Sequence, residues 1–322
     1  MKAAPVRIAI SMPHSTDPEY AERAIPQYER AVALIGGEPV RISLDQTPDD
    51  VLKLMETCSG LLLPGSNADV DPSKFKQERS PHTAAADERR QQVDEFLLDH
   101  AYRQRKPVLG ICYGLQSLNV FHAGSLVQHI PDFLPEEKRT RVNHEAGKKV
   151  PIAHTVEIDR DSLLAQIVCG DSRLGRPSKG AAERDLSSQI RTEHSEVGLI
   201  GVEIGQDREG RSSKTSGETS GFYQGTALSR SANAAEGEQA FAPERALIVA
   251  VNSSHHQSAD AIGTGLRIVA RCAEDGIIEA LEGTAPDHFV LAVQWHPERS
   301  VEDDQASRSI FEALMTAARQ RQ

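Results

Sequence analysis

The segment at residues 110–114, Gly-Ile-Cys-Tyr-Gly, constrains the fold of this chain more than any other. A short apolar run at 107–109 precedes it, and residues 115–121 follow with apolar side chains spaced as on one helix face. Glycines on both sides of a residue permit a turn too sharp for side chains, so the sequence predicts strand, tight turn and helix. This is the form of a nucleophile elbow, which would lift Cys112 clear of the sheet, where a helix start favours a thiolate.

Strand-like and helix-like segments alternate through the first half of the chain. The sequence predicts strands at 6–11, 39–44, 60–63 and 107–109. It predicts helices at 19–35, from Thr47 to about Cys58, and at 87–105. Such alternation is typical of an α/β fold in which helices cover both faces of a mostly parallel sheet. Ligands bind at the carboxyl ends of strands in such sheets, and Cys112 and the turn after residue 63 both lie there.

The segment 171–245 differs from the rest of the chain. It is rich in glycine and serine, and residues 208–218 contain no apolar side chain. Such a segment cannot bury enough apolar surface to offset its ordering entropy. We therefore predict a long disordered insertion, in which only residues 197–204 could add a short strand.

The alternating pattern returns after the insertion. Strands are predicted at 246–251, 266–272, 276–281 and 289–293, and a closing helix at 304–319. Residues 1–170 and 246–322 are thus expected to form a single catalytic domain, interrupted once.

Composition excludes several classes of protein. The net charge is −11 with no basic block, which argues against a nucleic-acid partner. No apolar run is long enough for a membrane span, and the first residues lack the features of a signal peptide. The four cysteines are scattered without a CxxC pair, which predicts neither disulfides nor zinc and favours the reducing cytoplasm. No cofactor is expected.

The segment Val-Gln-Trp-His-Pro-Glu at 293–298 provides a base for Cys112. A lone histidine is more often a core or surface residue, but His296 follows an apolar strand and precedes a proline. Glu298 lies two residues further on, within reach of the second ring nitrogen, where a carboxylate fixes the tautomer. Cys112, His296 and Glu298 are therefore the candidate catalytic residues of a thiol hydrolase.

Two groups of residues are candidates for the oxyanion and for substrate. Backbone N–H groups of Tyr113 and of Gly65 or Ser66 could stabilise an oxyanion, although the turn at 65 could equally be only a turn. Gln116, on the predicted helix after the elbow, is a further candidate for substrate binding.

The polar run at 252–257 ends another predicted strand. His255, His256 and Gln257 are candidates for substrate binding, with an ordinary loop as the alternative. No metal site is expected there, because neighbours on an extended chain point in opposite directions and no acidic or cysteine partner lies at ligand spacing.

These segments resemble the class I glutamine amidotransferase-like superfamily and, within it, the gamma-glutamyl-gamma-aminobutyrate hydrolase family of cysteine peptidases. The matching segments are Leu-Leu-Leu-Pro-Gly at 61–65, Asp-Val-Asp-Pro at 69–72, Lys-Pro-Val-Leu-Gly-Ile-Cys at 106–112, Val-Asn-Ser-Ser-His-His-Gln at 251–257 and Val-Gln-Trp-His-Pro-Glu at 293–298. The resemblance implies a flavodoxin-like sheet and a Cys112–His296–Glu298 triad. It also implies hydrolysis of a small gamma-glutamyl amide through a thioester, and self-association.

The chain departs from that pattern at two places near the predicted site. Many relatives have a run of glycines where residues 65–68 are Gly-Ser-Asn-Ala, and many have arginine where this chain has Tyr113. Two other functions stay open: a glutaminase component that passes ammonia to a separate synthetase, and an inactive relative whose insertion binds a partner. The complete triad argues against the second.

Overall fold

The computed structural model describes residues 5–148, 152–170 and 246–321 of the 322-residue chain. Its strands are β1 (Arg7–Ser11), β2 (Glu38–Ile42), β3 (Gly60–Leu63), β4 (Val108–Ile111), β5 (Leu126–Val127), β6 (His154–Asp159), β7 (Ala246–Val251), β8 (Ser258–Ala259), β9 (Leu266–Cys272), β10 (Ile278–Gly283) and β11 (Val290–Val293). Its α-helices are α1 (Pro18–Leu34), α2 (Pro48–Glu56), α3 (Glu88–Arg103), α4 (Tyr113–Phe121), α5 (Ile130–Phe133), α6 (Glu136–Arg139), α7 (Leu163–Val168) and α8 (Gln305–Arg319).

A nine-stranded sheet forms the centre of the described part, in the order β2-β1-β3-β4-β11-β10-β9-β6-β7. The first five strands of that order pair in parallel, and the last four continue the sheet through antiparallel pairs. A second sheet contains only β5 and β8. The predicted α/β fold is confirmed, and its parallel half carries the elbow.

Helices cover both faces of the sheet because side chains alternate along each strand. On β3, Leu62 packs in the core that contains Tyr28 of α1 and Phe311 of α8. Its neighbours Leu61 and Leu63 pack in the opposite core with α2, α3 and α4. The central strands are buried on both sides, as expected for parallel strands between helices.

Short polar side chains begin the main helices. The side chains of Asp17, Thr47, Asp87 and Asp304 accept backbone N–H groups at the starts of α1, α2, α3 and α8. The predicted helices at 87–105 and 304–319 therefore begin one residue later than expected, since their first residue is the cap.

The sequence analysis missed one strand of the sheet. β6 alternates buried and partly buried residues, with His154, Val156 and Ile158 pointing into the core. The predicted insertion at 171–245, including the strand at 197–204, lies outside the described residues and stays a prediction. Within the described ranges, the helices are all too short or too polar to traverse a lipid bilayer.

Candidate active site

Cys112 occupies the sharp turn between β4 and α4. Its backbone has φ of 53°, a region that residues other than glycine rarely adopt, and its side chain is largely buried. A Cβ atom on Gly110 would lie 2.8 Å from the backbone of Gly114, and one on Gly114 would overlap the carbonyl of Leu63. Both glycines are thus required by close backbone approach, and the predicted nucleophile elbow is confirmed.

The neighbouring strand brings a histidine to the same edge of the sheet. β11 runs parallel to β4, with Val293 opposite Ile111, and the N–H of Cys112 donates to the carbonyl of Val293 at 2.8 Å. His296 follows three residues later. The side chain of Asn252 holds its backbone, accepting its N–H at 2.8 Å and donating to its carbonyl at 2.9 Å.

His296 and Glu298 form a buried pair. Nδ1 of His296 lies 2.7 Å from Oε1 of Glu298, and the 3₁₀ turn Pro297–Arg299 presents the carboxylate to the ring. Burial by itself lowers the pKa of His296, but the Glu298 carboxylate and the Cys112 sulfur outweigh it and raise that pKa to about 9. Burial opposes ionisation of Glu298, yet His296 holds the pKa of the carboxyl below its usual value.

The second ring nitrogen of His296 is left for Cys112. Nε2 of His296 makes no hydrogen bond of acceptable geometry with the described residues, and the Cys112 sulfur is close enough to interact with the ring. Gly65 lies beside both groups: a Cβ atom there would be 3.0 Å from Cε1 of His296 and 3.6 Å from Cβ of Cys112. The structure therefore brings together the three residues that the sequence proposed as catalytic.

The turn after β3 contains the two N–H groups considered as oxyanion donors there. The N–H of Gly65 donates to the hydroxyl of Tyr28 at 3.0 Å, so it is already engaged. Ser66 is the remaining candidate in this turn. The N–H of Tyr113 is in the first turn of α4, where backbone donors have no partner within the helix.

Arg90 is a positioning residue that the sequence analysis missed. Its fully buried guanidinium donates to the carbonyl of Pro64 at 2.8 Å and to that of Pro13 at 3.0 Å, and it pairs with Asp94. The ring of Tyr113 stacks under it, 4.9 Å from the guanidinium carbon. The Tyr113 side chain thus supports the Pro64 turn from within the core. Arg90 stands beside Arg89 in a charged helical stretch, and nothing in that stretch distinguishes it for this role.

Residues 255–257 separate into different surroundings. Nε2 of His256 lies 2.9 Å from Oδ2 of Asp69, whereas His255 points into a buried cluster with Glu279. The main chain of Gln257 accepts a hydrogen bond from Gln116 at 3.2 Å. The adjacent histidines thus diverge as expected, but His255 has an acidic partner that sequence spacing could not reveal.

A cavity of about 400 Å³ lies at α2 and α3, away from these residues, and one of about 310 Å³ lies next to His255 and His256. The second cavity also contacts His144 and Arg139, and Cys112 is not among its lining residues. It adjoins the polar segment proposed for substrate binding without reaching the elbow.

Known proteins match this chain over most of its length. It is 28% identical over 308 residues to a glutamine amidotransferase-like protein of Rickettsia prowazekii, covering 94% of this chain and 90% of that one. It is 23% identical over 299 residues to gamma-glutamyl-gamma-aminobutyrate hydrolase of Escherichia coli K12, covering 90% and 84%. The glutaminase domain of Trypanosoma brucei CTPS superposes with a TM-score of 0.47 at 15% identity, covering 98% and 94%.

These sequence matches define a glutamine amidotransferase-like hydrolase. The chain belongs to the peptidase C26 family, whose model matches residues 7–176 and 222–298. The matched segments contain the elbow, the turn after β3, and the segments that carry Asn252, His296 and Glu298.

Proposed function

We propose that this protein hydrolyses gamma-glutamyl amide bonds and releases glutamate through a thioester on Cys112. The observation that carries the proposal is the convergence of Cys112, His296 and Glu298 at the ends of two neighbouring parallel strands. A strained elbow, a histidine with one nitrogen unpaired and a carboxylate on the other nitrogen are the parts of an activated thiol nucleophile.

The residues divide the reaction between them. The Cys112 sulfur attacks the gamma-carbonyl carbon, and the N–H groups of Tyr113 and Ser66 receive the developing oxyanion. Nε2 of His296 holds the thiol proton and gives it to the departing amine as the carbon–nitrogen bond breaks. His296 then takes a proton from water, whose oxygen attacks the thioester, and returns that proton to the sulfur as glutamate leaves.

The substrates that we propose first are amides like gamma-glutamyl-gamma-aminobutyrate. The Escherichia coli relative carries that substrate in its name, and the match covers 84% of its length. The segment with His255, His256 and Gln257 adjoins a cavity of about 310 Å³, which would receive only the part of the amine distant from the bond that is cleaved, since the cavity does not reach the elbow.

A glutaminase component that works with a separate synthetase is the second candidate. The Rickettsia prowazekii relative is named as glutamine amidotransferase-like, and the same triad would hydrolyse glutamine. The two candidates differ in the leaving amine and in the need for a partner.

A substrate panel separates the two candidates. Glutamate release is measured from gamma-glutamyl-aminobutyrate, gamma-glutamyl-putrescine, glutamine and poly-gamma-glutamate. We expect release from at least one gamma-glutamyl amide other than glutamine, with no added protein. Release from glutamine alone, or only with a co-purifying synthetase, would favour the second candidate. No release from any of the four by folded protein, either alone or with a co-purifying synthetase, would contradict both.

A further inference from the structure

Three histidines and a glutamate form a buried cluster beside the sheet, separate from the triad. Its members are His144, His154, His255 and Glu279, which are all exposed by 5% or less. Their nearest ligand atoms all lie within 4.8 Å of one another. Glu279 comes from β10 at a break in its register with β9, and the histidines come from three segments distant from it in sequence.

The distances from Glu279 to the three histidines are those of ligands that share one ion. Oε1 of Glu279 lies 3.3 Å from Nδ1 of His144, 3.3 Å from Nε2 of His154 and 3.5 Å from Nε2 of His255. None of these four atoms makes a hydrogen bond of acceptable geometry with any described residue. Tetrahedral ligands placed about 2.0–2.1 Å from a zinc ion are themselves about 3.3 Å apart.

In each histidine, the ring nitrogen that faces away from Glu279, here called the outer nitrogen, has a hydrogen-bond partner of its own. Nε2 of His144 lies 2.9 Å from the carboxylate of Asp275. Nδ1 of His154 faces the carbonyl of Thr155 at 3.2 Å, and Nδ1 of His255 faces that of Gln257 at 2.9 Å. All three partners only accept hydrogen bonds, so each outer nitrogen carries a proton, and each inner nitrogen is the one that would offer its lone pair to a metal ion.

We propose that His144, His154, His255 and Glu279 form a zinc site. Imidazole nitrogens with one carboxylate oxygen suit zinc among divalent ions, and the acceptors on the outer nitrogens are the usual second layer of such sites. One Zn²⁺ balances the negative charges of Glu279 and Asp275 while the three imidazoles remain neutral. Four protein ligands in a buried setting make this a closed, structural site.

The zinc would hold together the segments that position His296. The carbonyl of His144 accepts hydrogen bonds from the N–H of His255 at 2.9 Å and from the hydroxyl of Ser253 at 2.7 Å. Asn252, next to Ser253, bonds both backbone groups of His296. The metal thus fixes the loop after β7, and that loop fixes the backbone of the base without contacting the reacting atoms.

Metal analysis of the full chain tests this proposal directly. Protein made without a histidine tag is incubated with zinc, passed through gel filtration and analysed for metal. We expect one zinc per chain, visible absorption bands of tetrahedral cobalt after exchange, and a lower Tm after chelation that zinc restores. Absence of retained zinc and of cobalt bands in folded wild-type protein would overturn the proposal, leaving an ionic cluster.

Variants locate the ion. Glu279→Gln and His154→Gln are expected to lose the zinc, and Asp275→Asn to weaken zinc affinity about 10- to 100-fold. His82→Gln is the control, because His82 belongs to an exposed group with His129 and Asp132. It should retain the zinc. Zinc lost from His82→Gln but kept by Glu279→Gln would refute the buried site. If the cluster variants do not fold, Asp275→Asn and the wild-type measurements decide.

Discussion

The carboxylate of Glu298 sets the charge state of the histidine beside it. Together with the Cys112 sulfur, it offsets the effect of burial and raises the pKa of His296 to about 9. The imidazolium is therefore present at neutral pH and is lost as the pH rises through about 9. If the imidazolium is the form that takes part in the reaction, activity should fall as the pH rises through that value.

Replacing Glu298 tests this electrostatic role. Glu298→Gln keeps the shape but removes the charge that favours the imidazolium, so the pKa of His296 should fall. We expect kcat/KM to drop about 10²- to 10⁴-fold and its basic limb to move to lower pH. The measurement is kcat/KM against pH for both proteins. An unchanged basic limb would show that Glu298 does not act on His296.

Local sequence was informative for residues whose role lies in a short motif. Cys112 with its two glycines, and His296 with Glu298, were found because turn, strand end and partner lie within a few positions. Arg90 and Glu279 were not found, because the carbonyls that Arg90 holds and the histidines around Glu279 are distant along the chain. For the same reason the sequence analysis found no acidic partner for His255, since Glu279 lies on a later strand.

At the level of elements, the elbow depends on backbone contact between β3, β4 and α4. A Cβ atom on Gly114 would meet the carbonyl of Leu63 on β3, which is backbone and cannot move aside independently. A substitution at Gly114 can therefore distort the elbow while the side chains of Cys112, His296 and Glu298 stay unchanged.

Gly114→Ala should damage both stability and activity. Overpacking against backbone is expected to lower the free energy of unfolding by about 1–3 kcal/mol and to displace the nucleophile. Gly265→Ala is the matched control, since Gly265 has φ of 83° with no atom near its Cβ position. That change should cost about 1–2 kcal/mol and leave activity intact. Urea denaturation and glutamate release measure both effects. Full activity in Gly114→Ala would contradict the account.

The parallel half of the sheet was more predictable than the antiparallel half. Alternating strands and helices specify parallel order because a crossover helix separates each pair. β9, β10 and β11 were recognised as strands, but nothing in their short apolar runs indicated their direction. β6 was missed because its alternation includes a histidine and a glutamate, and one of these is a proposed zinc ligand.

For the whole molecule, the sequence predicts a catalytic domain interrupted by residues 171–245. The family model likewise leaves residues 177–221 unmatched. Limited proteolysis with trypsin should cut first between about Arg173 and Arg230, leaving two fragments that stay associated. Cys112→Ala, which lacks the proposed activity, is digested alongside the wild type as a matched control. Cleavage in the core as early as in this segment would show that the predicted disorder is wrong.

The most direct test of the central claim compares two cysteines. Cys112→Ala removes the proposed nucleophile. Cys58→Ala removes a thiol that is also buried but lies just after the end of α2, outside the proposed site. Glutamate release from the best gamma-glutamyl amide is measured for both variants and wild type, with circular dichroism to establish folding. We predict a loss of about 10³-fold or more in Cys112→Ala and near wild-type release in Cys58→Ala. Substantial turnover by folded Cys112→Ala would contradict the thioester mechanism and the role assigned to the elbow.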